Sequence, residues 1–421
     1  MMTLQQLHDL VEVCTKRGIS PFYRKLYGMS AHEPAKNITT WDDWRSLPVF
    51  AKEHLTGQTL PGRVFHPWHN IDTILASSGT SGNPPVYSSW TLNDGYGHRL
   101  QYHDFKRATL SSMPTPYQQD WILRKNGCAG RLIILDPRRH TASVRLAQTM
   151  GVDSMFLILH HLPMIAEEMV RLRVSENIRF IEIAGETCSR SLFLYIRKMF
   201  PNAIIAPIYG SSDVETSPIG IPCRPMTGEE PLEVYHEGER TYLEVIDPET
   251  GTPVPVKNGV EGDLVITSYA GATATFPLIR YKIGDTVRVV EAPCKKHGTW
   301  SFAVLGRTQM DFLKVPGGIL RADAVERTLR ILGDAVSDRF ELHRYERDTS
   351  TGMKVEVVLY VEVPENTDMG MLARNISKEL YVGASYTYED GVREGLYLPL
   401  TCVPLSESPS KTGKRIRMIQ H

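Results

Sequence analysis

Residues 77–85 read Ser77-Ser78-Gly79-Thr80-Ser81-Gly82-Asn83-Pro84-Pro85. This run of hydroxyls and glycines follows residues 71–76, whose apolar side chains predict a short strand. Glycines let backbone N–H groups approach a phosphate closely, and serine and threonine hydroxyls add further donors. No lysine follows Gly82, so the run lacks the Gly-Lys-Ser/Thr ending of a nucleoside-triphosphatase loop. By itself the run is more typical of an ordinary loop, and its meaning depends on motifs further along the chain.

The composition is that of an ordinary globular enzyme or binding protein. The chain has 421 residues, enough for two or more domains, with 42% hydrophobic and 23% charged residues. A formal net charge of −1 does not favour a nucleic-acid or membrane-surface protein, and six cysteines do not resemble a disulfide framework. The polar residues 1–16 do not read as a signal peptide, and no apolar stretch is long enough to span a bilayer. We therefore expect a cytoplasmic protein without a membrane or nucleic-acid partner.

From residue 131 the sequence alternates between apolar strands and amphipathic helices, which predicts an α/β fold with a largely parallel sheet. In such sheets ligands bind beyond the carboxyl ends of the strands. Two loops fall at such ends, Ala184-Gly185-Glu186-Thr187 and Tyr209-Gly210-Ser211-Ser212-Asp213. The predicted strands cover residues 131–135, 153–159, 178–184 and 203–209, and the predicted helices cover residues 142–149, 163–172 and 190–200.

The segments on either side of this region differ in character. The amphipathic residues 4–16 and the helix start at Thr40-Trp41 predict short helices, while the polar and aromatic residues 93–112 fit either a surface helix or part of a ligand pocket. After Arg307 the composition predicts a separate α+β module of roughly a hundred residues. Predicted strands cover residues 242–246, 262–267, 300–305, 354–363 and 398–404, and predicted helices cover residues 324–332 and 369–380.

Six short motifs follow one another in an order that resembles the motif series of the acyl-adenylate-forming superfamily (acyl-CoA synthetases, nonribosomal-peptide adenylation domains and luciferases). The chain is most similar to the phenylacetate–coenzyme A ligase family, and the resemblance covers nearly its whole length. It implies a large N-terminal adenylate-forming domain with mixed and parallel sheets, residues 1–306, and a small mobile α+β C-terminal domain, residues 307–421. The motifs are residues 77–84, 184–186, 209–213, 281–285, 306–307 and 412–414, with Pro21-Phe22-Tyr23-Arg24, Leu47-Pro48 before Lys52, and Pro277-Leu278-Ile279-Arg280-Tyr281 as further shared features.

The resemblance also implies a role for each motif. Asp285 would accept both ribose hydroxyls, and Asp213 stands where the family usually has a glutamate that helps bind Mg²⁺. Arg307 would reach the phosphate or ribose near the hinge. Lys414 would bridge the carboxylate and the α-phosphate, and rotation of the C-terminal domain would then withdraw it and open a thiol channel. The remaining nucleotide contacts would come from Ser77, Ser78, Gly79, Thr80, Ser81 and Gly82 on the β- and γ-phosphates, Gly185 and Glu186 along the adenine, and Tyr209 with Gly210, Ser211 and Ser212 at the base.

Three positions depart from the family pattern. Asn83 replaces the lysine common after the phosphate loop, Asp213 is one methylene shorter than glutamate, and Gln309 stands where an aspartate hinge is expected, with Asp311 following. These departures bear more on the domain rotation, and so on the second half-reaction, than on adenylation.

The resemblance further implies a structural metal site. Close relatives carry a cysteine and a histidine after the Tyr-Gly motif and a cysteine pair before the Gly-Arg motif. This chain has Cys223, His236, Cys294 and His297 at comparable places. Two cysteines and two histidines suit tetrahedral Zn²⁺. Buried free cysteines and surface histidines are the alternative.

The predicted activity is the ATP-dependent conversion of a carboxylic acid, aryl or arylacetic, to an acyl-adenylate, followed by transfer to the thiol of coenzyme A. The predicted ligands are ATP, Mg²⁺, coenzyme A, the acid and structural Zn²⁺, and relatives often form homodimers. Two alternatives stay open. One is an adenylating enzyme that passes the acyl group to a carrier protein or an amine, and the other is a non-catalytic nucleotide-binding protein with the same fold.

Overall fold

The computed structural model of the protein describes residues 3–17, 20–30, 32–55, 73–76, 87–90, 108–111, 131–135, 140–211, 213–214, 218–238, 241–268, 276–307, 312–332, 339–383, 386–408 and 418–420. The helices are α1 (Leu4–Thr15), α2 (Pro21–Leu26), α3 (Trp41–Ser46), α4 (Lys52–Leu55), α5 (His140–Met150), α6 (Leu162–Arg171), α7 (Arg190–Met199), α8 (Ala322–Ile331), α9 (Met369–Glu379) and α10 (Tyr388–Arg393).

The strands belong to several sheets, and their bounds are as follows. They are β1 (Phe50–Ala51), β2 (Thr73–Ala76), β3 (Tyr87–Trp90), β4 (Ala108–Ser111), β5 (Arg131–Ile134), β6 (Ser154–Ile158), β7 (Phe180–Ala184), β8 (Ile204–Pro207), β9 (Gly220–Pro222), β10 (Tyr235–Glu237), β11 (Thr241–Ile246), β12 (Glu261–Ser268), β13 (Tyr281–Glu291), β14 (Ser301–Arg307), β15 (Phe312–Val315), β16 (Gly318–Arg321), β17 (Phe340–Thr349), β18 (Gly352–Val361), β19 (Tyr381–Gly383), β20 (Tyr386–Thr387), β21 (Thr401–Pro404) and β22 (Met418–Gln420).

The described residues divide into two compact units. The first contains the described residues up to 90 and those from 206 to 307, and the second contains those from 108 to 205 and from 312 onward. The second unit therefore holds both the parallel sheet and the C-terminal α+β module. One change of unit falls between residues 307 and 312, close to the predicted domain boundary, and the division into domains 1–306 and 307–421 stays a prediction.

The first unit is built on a mostly antiparallel sheet in the order β11-β12-β13-β14-β10-β9, with β1 parallel to β13. Alternate residues of β13 point inward, which is the period expected of a strand with one buried face. The N-terminal helices α1 to α3 pack on this sheet. The shared core includes Leu7, Leu10, Val11, Trp44, Phe50, Leu264, Ile266, Tyr281, Val287, Val289 and Phe302.

Arg280 fastens the N-terminal segment to this sheet. It immediately precedes β13, is 2% exposed, and has a positive φ of 55° that non-glycine residues seldom adopt. Its Nε lies 3.1 Å from Glu244 Oε2, and its Nη1 donates to the Arg45 carbonyl at 2.7 Å. The Trp44 indole donates to the same Glu244 oxygen at 3.2 Å. The buried Arg280–Glu244 ion pair thus joins α3 to the sheet through its hydrogen bonds to Trp44 and the Arg45 carbonyl.

The second unit contains the predicted parallel sheet, in the order β5-β4-β6-β7-β8, with α5, α6 and α7 in the connections. The predicted strands and helices between residues 131 and 209 are confirmed within a few residues. Residues 108–111 form strand β4 between β5 and β6, which contradicts the surface-helix alternative for this part of residues 93–112. This four-residue strand was missed because its sequence Ala-Thr-Leu-Ser has little apolar character. Residues 93–107 lie outside the described residues.

The C-terminal α+β module carries a sheet in the order β21-β18-β17-β22 and the hairpins β15–β16 and β19–β20. Inward residues of β18, among them Val355, Val357 and Leu359, pack against α8 and α9. Strand β17 was not predicted from the sequence, because its residues 340–349 are largely polar and charged, although several of them are buried. In the part of the chain described above, every helix is too short or too polar to traverse a bilayer.

Candidate functional site

Several residues with predicted roles cannot be placed. Ser77 to Gly82, Ser212 and Lys414 lie outside the described residues, and only the backbone of Arg307 is described. The strands on either side of the predicted phosphate loop form an antiparallel hairpin, β2–β3, with Ala76 opposite Tyr87. The predicted strand before the loop is therefore confirmed over residues 73–76.

In the first unit, Tyr209 and Asp285 form a buried hydrogen-bonded pair. Tyr209 follows β8, Asp285 lies in β13, and they are 9% and 7% exposed. The Tyr209 hydroxyl donates to Asp285 Oδ2 at 2.5 Å. Arg307 stands opposite Asp285 in the register of β13 and β14. The fold therefore brings Tyr209 and Asp285, 76 positions apart in the chain, into contact and places the backbone of Arg307 beside that of Asp285.

Asp213 occupies a second polar position in the first unit. Its Oδ2 accepts from the Tyr281 hydroxyl at 3.2 Å and lies 3.4 Å from Lys52 Nζ. Its Oδ1 is buried and has no hydrogen-bond partner among the described residues. A buried carboxylate oxygen without a hydrogen-bond partner is a suitable ligand for a hard cation such as Mg²⁺. The sequence marked Lys52 and Tyr281 only as shared motif residues and assigned no role to either.

In the second unit, Gly185 and Glu186 lie directly beyond the carboxyl end of β7, the position expected for a ligand-binding loop. Gly185 has a φ of +94°, and a Cβ there would lie 3.3 Å from Ile158 Cδ1, so a side chain would be strained. Glu186 Oε1 lies 2.6 Å from His160 Nδ1 and accepts from the His160 backbone N–H at 3.1 Å. His160 is thus a site residue that sequence reasoning did not identify.

Glu186 is ionised despite its burial. Desolvation by burial raises its pKa, but the charges of His160, Arg344 and Lys314 and the hydrogen bond from His160 outweigh it and lower the pKa to about 2. Lys314 Nζ donates to the Gly185 carbonyl, and Arg344 Nη1 lies 3.9 Å from Glu186 Oε2. Both cationic residues come from the C-terminal module, and neither was predicted from the sequence.

Three of the four predicted zinc ligands converge in the first unit, and the fourth, Cys294, lies beside one of them. Ligand atoms of Cys223, His236 and His297 lie within 4.8 Å of one another, and the Cys223 and Cys294 sulfurs are 3.9 Å apart. Two thiolates on one tetrahedral Zn²⁺ stand about 3.8 Å apart. The Trp300 carbonyl lies 3.0 Å from His236 Nδ1, and because a carbonyl only accepts, this nitrogen carries the proton and leaves Nε2 for a metal.

Two ring nitrogens of this cluster lack a hydrogen-bond partner in the part of the chain that the structure describes. Nε2 of His236 and Nε2 of His297 are buried and make no hydrogen bond to the described residues. Burial, together with the neighbouring Cys294 thiol, raises the pKa of Cys223 to about 11, and burial lowers that of His236. The two unpartnered ring nitrogens have unmet bonding capacity, which a bound metal would satisfy. The donor set and spacing fit Zn²⁺.

Comparison with characterised proteins finds full-length relatives. No family model matches the chain. It is 25% identical to a phenylacetate–coenzyme A ligase of Thermus thermophilus, over 99% of this chain and 96% of the relative. It is 22% identical to a phenylacetate–coenzyme A ligase of Pseudomonas putida, over 87% of this chain and 84% of the relative.

Solved structures share the fold. A 2-hydroxyisobutyryl-CoA ligase, crystallised with its acyl-AMP and CoA in the thioesterification state, superposes with a TM-score of 0.67 at 16% identity, covering 99% of this chain and 88% of that one. An acyl acid amido synthetase in complex with 2,4-DB superposes with a TM-score of 0.51 at 15% identity, covering 99% and 91%. The expected α/β architecture of adenylate-forming enzymes is therefore confirmed.

Proposed function

We propose that this chain, which is similar to phenylacetate–coenzyme A ligases over nearly its whole length and shares the fold of acyl-CoA ligases, is an AMP-forming ligase that joins a carboxylic acid to coenzyme A. The observation that carries the proposal is similarity to two such ligases over almost the whole of both chains. In the first half-reaction a carboxylate oxygen attacks the α-phosphorus of ATP and pyrophosphate leaves. In the second, the thiol attacks the acyl carbon, a thioester forms, and AMP leaves with the thiol proton released.

The Tyr209–Asp285 pair supports a ribose-binding role for Asp285. A carboxylate has two oxygens, each able to accept from one hydroxyl of the 2′,3′-diol. The hydrogen bond from Tyr209 fixes the rotation of the Asp285 carboxylate before the nucleotide arrives, which reduces the entropy lost on binding. Tyr209 itself, with Gly210 and Ser211, would border the base, and Gly185 and Glu186 would line the adenine.

Phosphate and metal contacts complete the proposed site. The loop Ser77–Gly82 would hold the β- and γ-phosphates through backbone N–H groups and hydroxyls. Asp213 would contribute to Mg²⁺ binding through its buried Oδ1, and Mg²⁺ would supply charge neutralisation on the phosphates. Arg307 and Lys414 would act on the developing charge at the phosphate and the carboxylate.

The acid is proposed to be aryl or arylacetic, by analogy with the phenylacetate–coenzyme A ligases. Coenzyme A is the proposed acceptor, with a carrier-protein thiol or an amine as the alternatives. Pyrophosphate release with ATP and Mg²⁺ across a panel of aryl, arylacetic and short acyl acids, with and without coenzyme A, tests the proposal. We expect release that depends on the acid and rises with coenzyme A, with a thioester product.

The other outcomes separate the alternatives. Acid-dependent release that coenzyme A does not change, with no thioester formed, would favour a carrier protein or amine as acceptor. No release with any acid, combined with ATP binding by calorimetry, would favour a non-catalytic nucleotide-binding protein.

We further propose that Cys223, His236, Cys294 and His297 hold a structural Zn²⁺. All four positions would be filled by protein, and a closed site of this kind stabilises structure, whereas a catalytic site keeps one position open. The cluster would fasten β9 and β10 to the connection between β13 and β14. Since β13 carries Asp285, the metal would stiffen the strand that presents the ribose-binding carboxylate.

A further inference from the structure

A buried charged cluster joins the C-terminal module to the loop after β7. We call the side chains of Arg344, Glu346, Ser189 and Glu186 the Arg344 cluster. Arg344 Nη2 donates to Glu346 Oε1 at 2.8 Å, and the Ser189 hydroxyl donates to Glu346 Oε2. Arg344 Nη1 faces Glu186 Oε2 at 3.9 Å. Two residues of β17 thereby contact two residues of the loop at 184–189.

The Arg344 cluster is unusually deep for charged groups. The side chains of Arg344, Glu346 and Glu186 are 2%, 4% and 6% exposed. Burying such charges is costly unless they are paired, so the arrangement persists only while both parts of the chain stay together. Removing one part would return these charges to water.

One contact in the cluster is incomplete. The 3.9 Å between Arg344 Nη1 and Glu186 Oε2 exceeds hydrogen-bond distance, and neither atom has another hydrogen-bond partner among the described residues. A small shift of β17 or one bridging water would close this gap. The cluster is therefore sensitive to the exact placement of β17 over the loop.

The loop at 184–189 connects this cluster to the start of helix α7. Ser189 is the N-cap of α7, since its hydroxyl accepts from the Leu192 backbone N–H at 3.1 Å. Ser189 also donates to Glu346, which is held by Arg344. The Arg344 guanidinium is thus coupled, through Glu346 and Ser189, to the loop that contains Gly185 and Glu186.

We propose that Arg344 is a positioning residue that fixes one orientation of the C-terminal module on the loop at 184–189 and so sets the balance between the two half-reactions. The inference rests on the proposed ligase function, in which that module changes orientation between adenylation and thioester formation. A contact made in one orientation only stabilises the step that uses that orientation. A residue with a purely structural role would affect both steps in proportion.

The half-reactions are measured separately to test this. Adenylation is followed by acid-dependent ATP–pyrophosphate exchange, and thioester formation by reaction of a preformed acyl-adenylate with coenzyme A. In Arg344→Met we expect the ratio of the two rates to change by about tenfold. The matched control is Arg347→Met, in the same strand, because Arg347 is 51% exposed and pairs with Glu356 of β18. Its ratio should stay within about twofold of the wild-type ratio.

A double variant that removes both buried charges controls for misfolding of the single variant. Arg344→Met alone leaves Glu346 buried and without its cation, whereas Arg344→Met with Glu346→Gln removes both charges and keeps an acceptor for Ser189. We expect the double variant to fold and to show the same change of ratio. A ratio within about twofold of the wild type in either folded variant, at whatever absolute rates, would overturn the proposal.

Hydrogen exchange gives a readout that does not depend on activity. Backbone N–H groups of residues 184–192 should exchange faster in Arg344→Met than in the wild type or Arg347→Met, because the Leu192 N–H is held through Ser189. If no acid supports turnover by the wild type, the proposed ligase function is wrong. Hydrogen exchange then still tests whether Arg344 holds the loop at 184–189 in place. Unchanged hydrogen exchange of residues 184–192 in Arg344→Met would overturn the proposal that Arg344 positions this loop.

Discussion

The Tyr209 hydroxyl holds the Asp285 carboxylate, which we propose binds the ribose, in a defined orientation. The 2.5 Å hydrogen bond between them is buried, so water does not compete with it. The bond fixes the Asp285 carboxylate in one rotation. Removing the hydroxyl would leave a buried carboxylate that must be ordered by the ligand itself.

Tyr209→Phe is therefore expected to weaken ATP binding by about tenfold, since a hydrogen bond to a charged group contributes about 1.5 kcal/mol or more. Isothermal titration calorimetry measures the dissociation constant. Tyr235→Phe is the matched control, because the Tyr235 hydroxyl donates to Glu233 and its ring packs against that of Tyr209. Equal affinities in Tyr209→Phe and the wild type would contradict the role assigned to the pair.

Glu186 makes the stability depend on pH in a direction that follows from its lowered pKa. The folded-state pKa of about 2 lies below the usual 4.5, so the folded state binds a proton at this group less tightly than the unfolded state does. Its contribution to stability is complete above about pH 4.5 and is lost as the pH falls towards 2. We expect Glu186→Gln to be less stable than the wild type at pH 7, with the difference shrinking below pH 4.5.

Chemical denaturation at pH 7, 5 and 3.5 measures this difference. Glu176→Gln is the control, because Glu176 is 57% exposed and pairs with Arg173 at the surface. If the stability gap between Glu186→Gln and the wild type were the same at all three pH values, the charged contacts of Glu186 would not be the source of its stabilisation.

At the scale of elements, β13 organises the first unit. It pairs with β12 and β14 on its two sides and with β1 at its start, and it carries Tyr281 and Asp285. Arg280 precedes it and ties α3 to the sheet through Glu244. The strand thus links the N-terminal helices to the proposed nucleotide site.

Arg280→Met is expected to lower the free energy of unfolding by about 3 kcal/mol, because it leaves Glu244 buried without its cation. Adding Glu244→Leu should recover part of the loss. Arg288→Met is the control on the same strand, where Arg288 is 45% exposed and its pair with Glu261 is 3.9 Å long, and it should cost less than about 1 kcal/mol. Urea denaturation gives these values, and equal losses for the two single variants would refute the role of the buried pair.

The proposed zinc cluster would act on the same strand through the connection between β13 and β14. We expect the purified protein to contain about one equivalent of zinc by elemental analysis, and Cys294→Ser to lose it and to unfold at a temperature several degrees lower. Cys402→Ser is the control, since Cys402 is a buried free cysteine in the C-terminal module. Chelation should lower the unfolding temperature of the wild type and of Cys402→Ser alike. A protein free of zinc with an unchanged unfolding temperature in Cys294→Ser would disprove the site.

At the scale of the whole molecule, the proposed reaction needs groups from distant parts of the chain. The proposed nucleotide contacts span residues 77 to 307, and the proposed catalytic residue Lys414 lies more than a hundred positions further along the chain. Lys414→Ala is expected to slow acid-dependent pyrophosphate release by about a hundredfold, the scale of losing one preorganised charge. Thioester formation from preformed acyl-adenylate should change much less, and Lys411→Ala is the neighbouring control. Unchanged acid-dependent ATP chemistry would remove Lys414 from the mechanism.

The sequence predicted the elements whose pattern is local. The alternating strands and helices of residues 131–209 are confirmed, because apolar periodicity reports burial directly. The loop after β7 was placed correctly at the carboxyl end of a parallel strand, since its position follows from the order of elements alone. The motif order pointed to the acyl-adenylate-forming fold, which the relatives and solved structures support.

Tertiary structure decided what depends on contacts between distant residues. Strand β4 has little apolar character and is recognisable only by its neighbours in the sheet. Strand β17 contributes Arg344 and Glu346 to a buried cluster, which its charged sequence does not predict. His160 and Lys52 carry no local signal, because their partners Glu186 and Asp213 lie 26 and more than a hundred positions away. A sequence pattern records whether a side chain prefers water or the core. The folded chain alone determines which charged side chains are paired. That pairing decides which charged side chains can be buried.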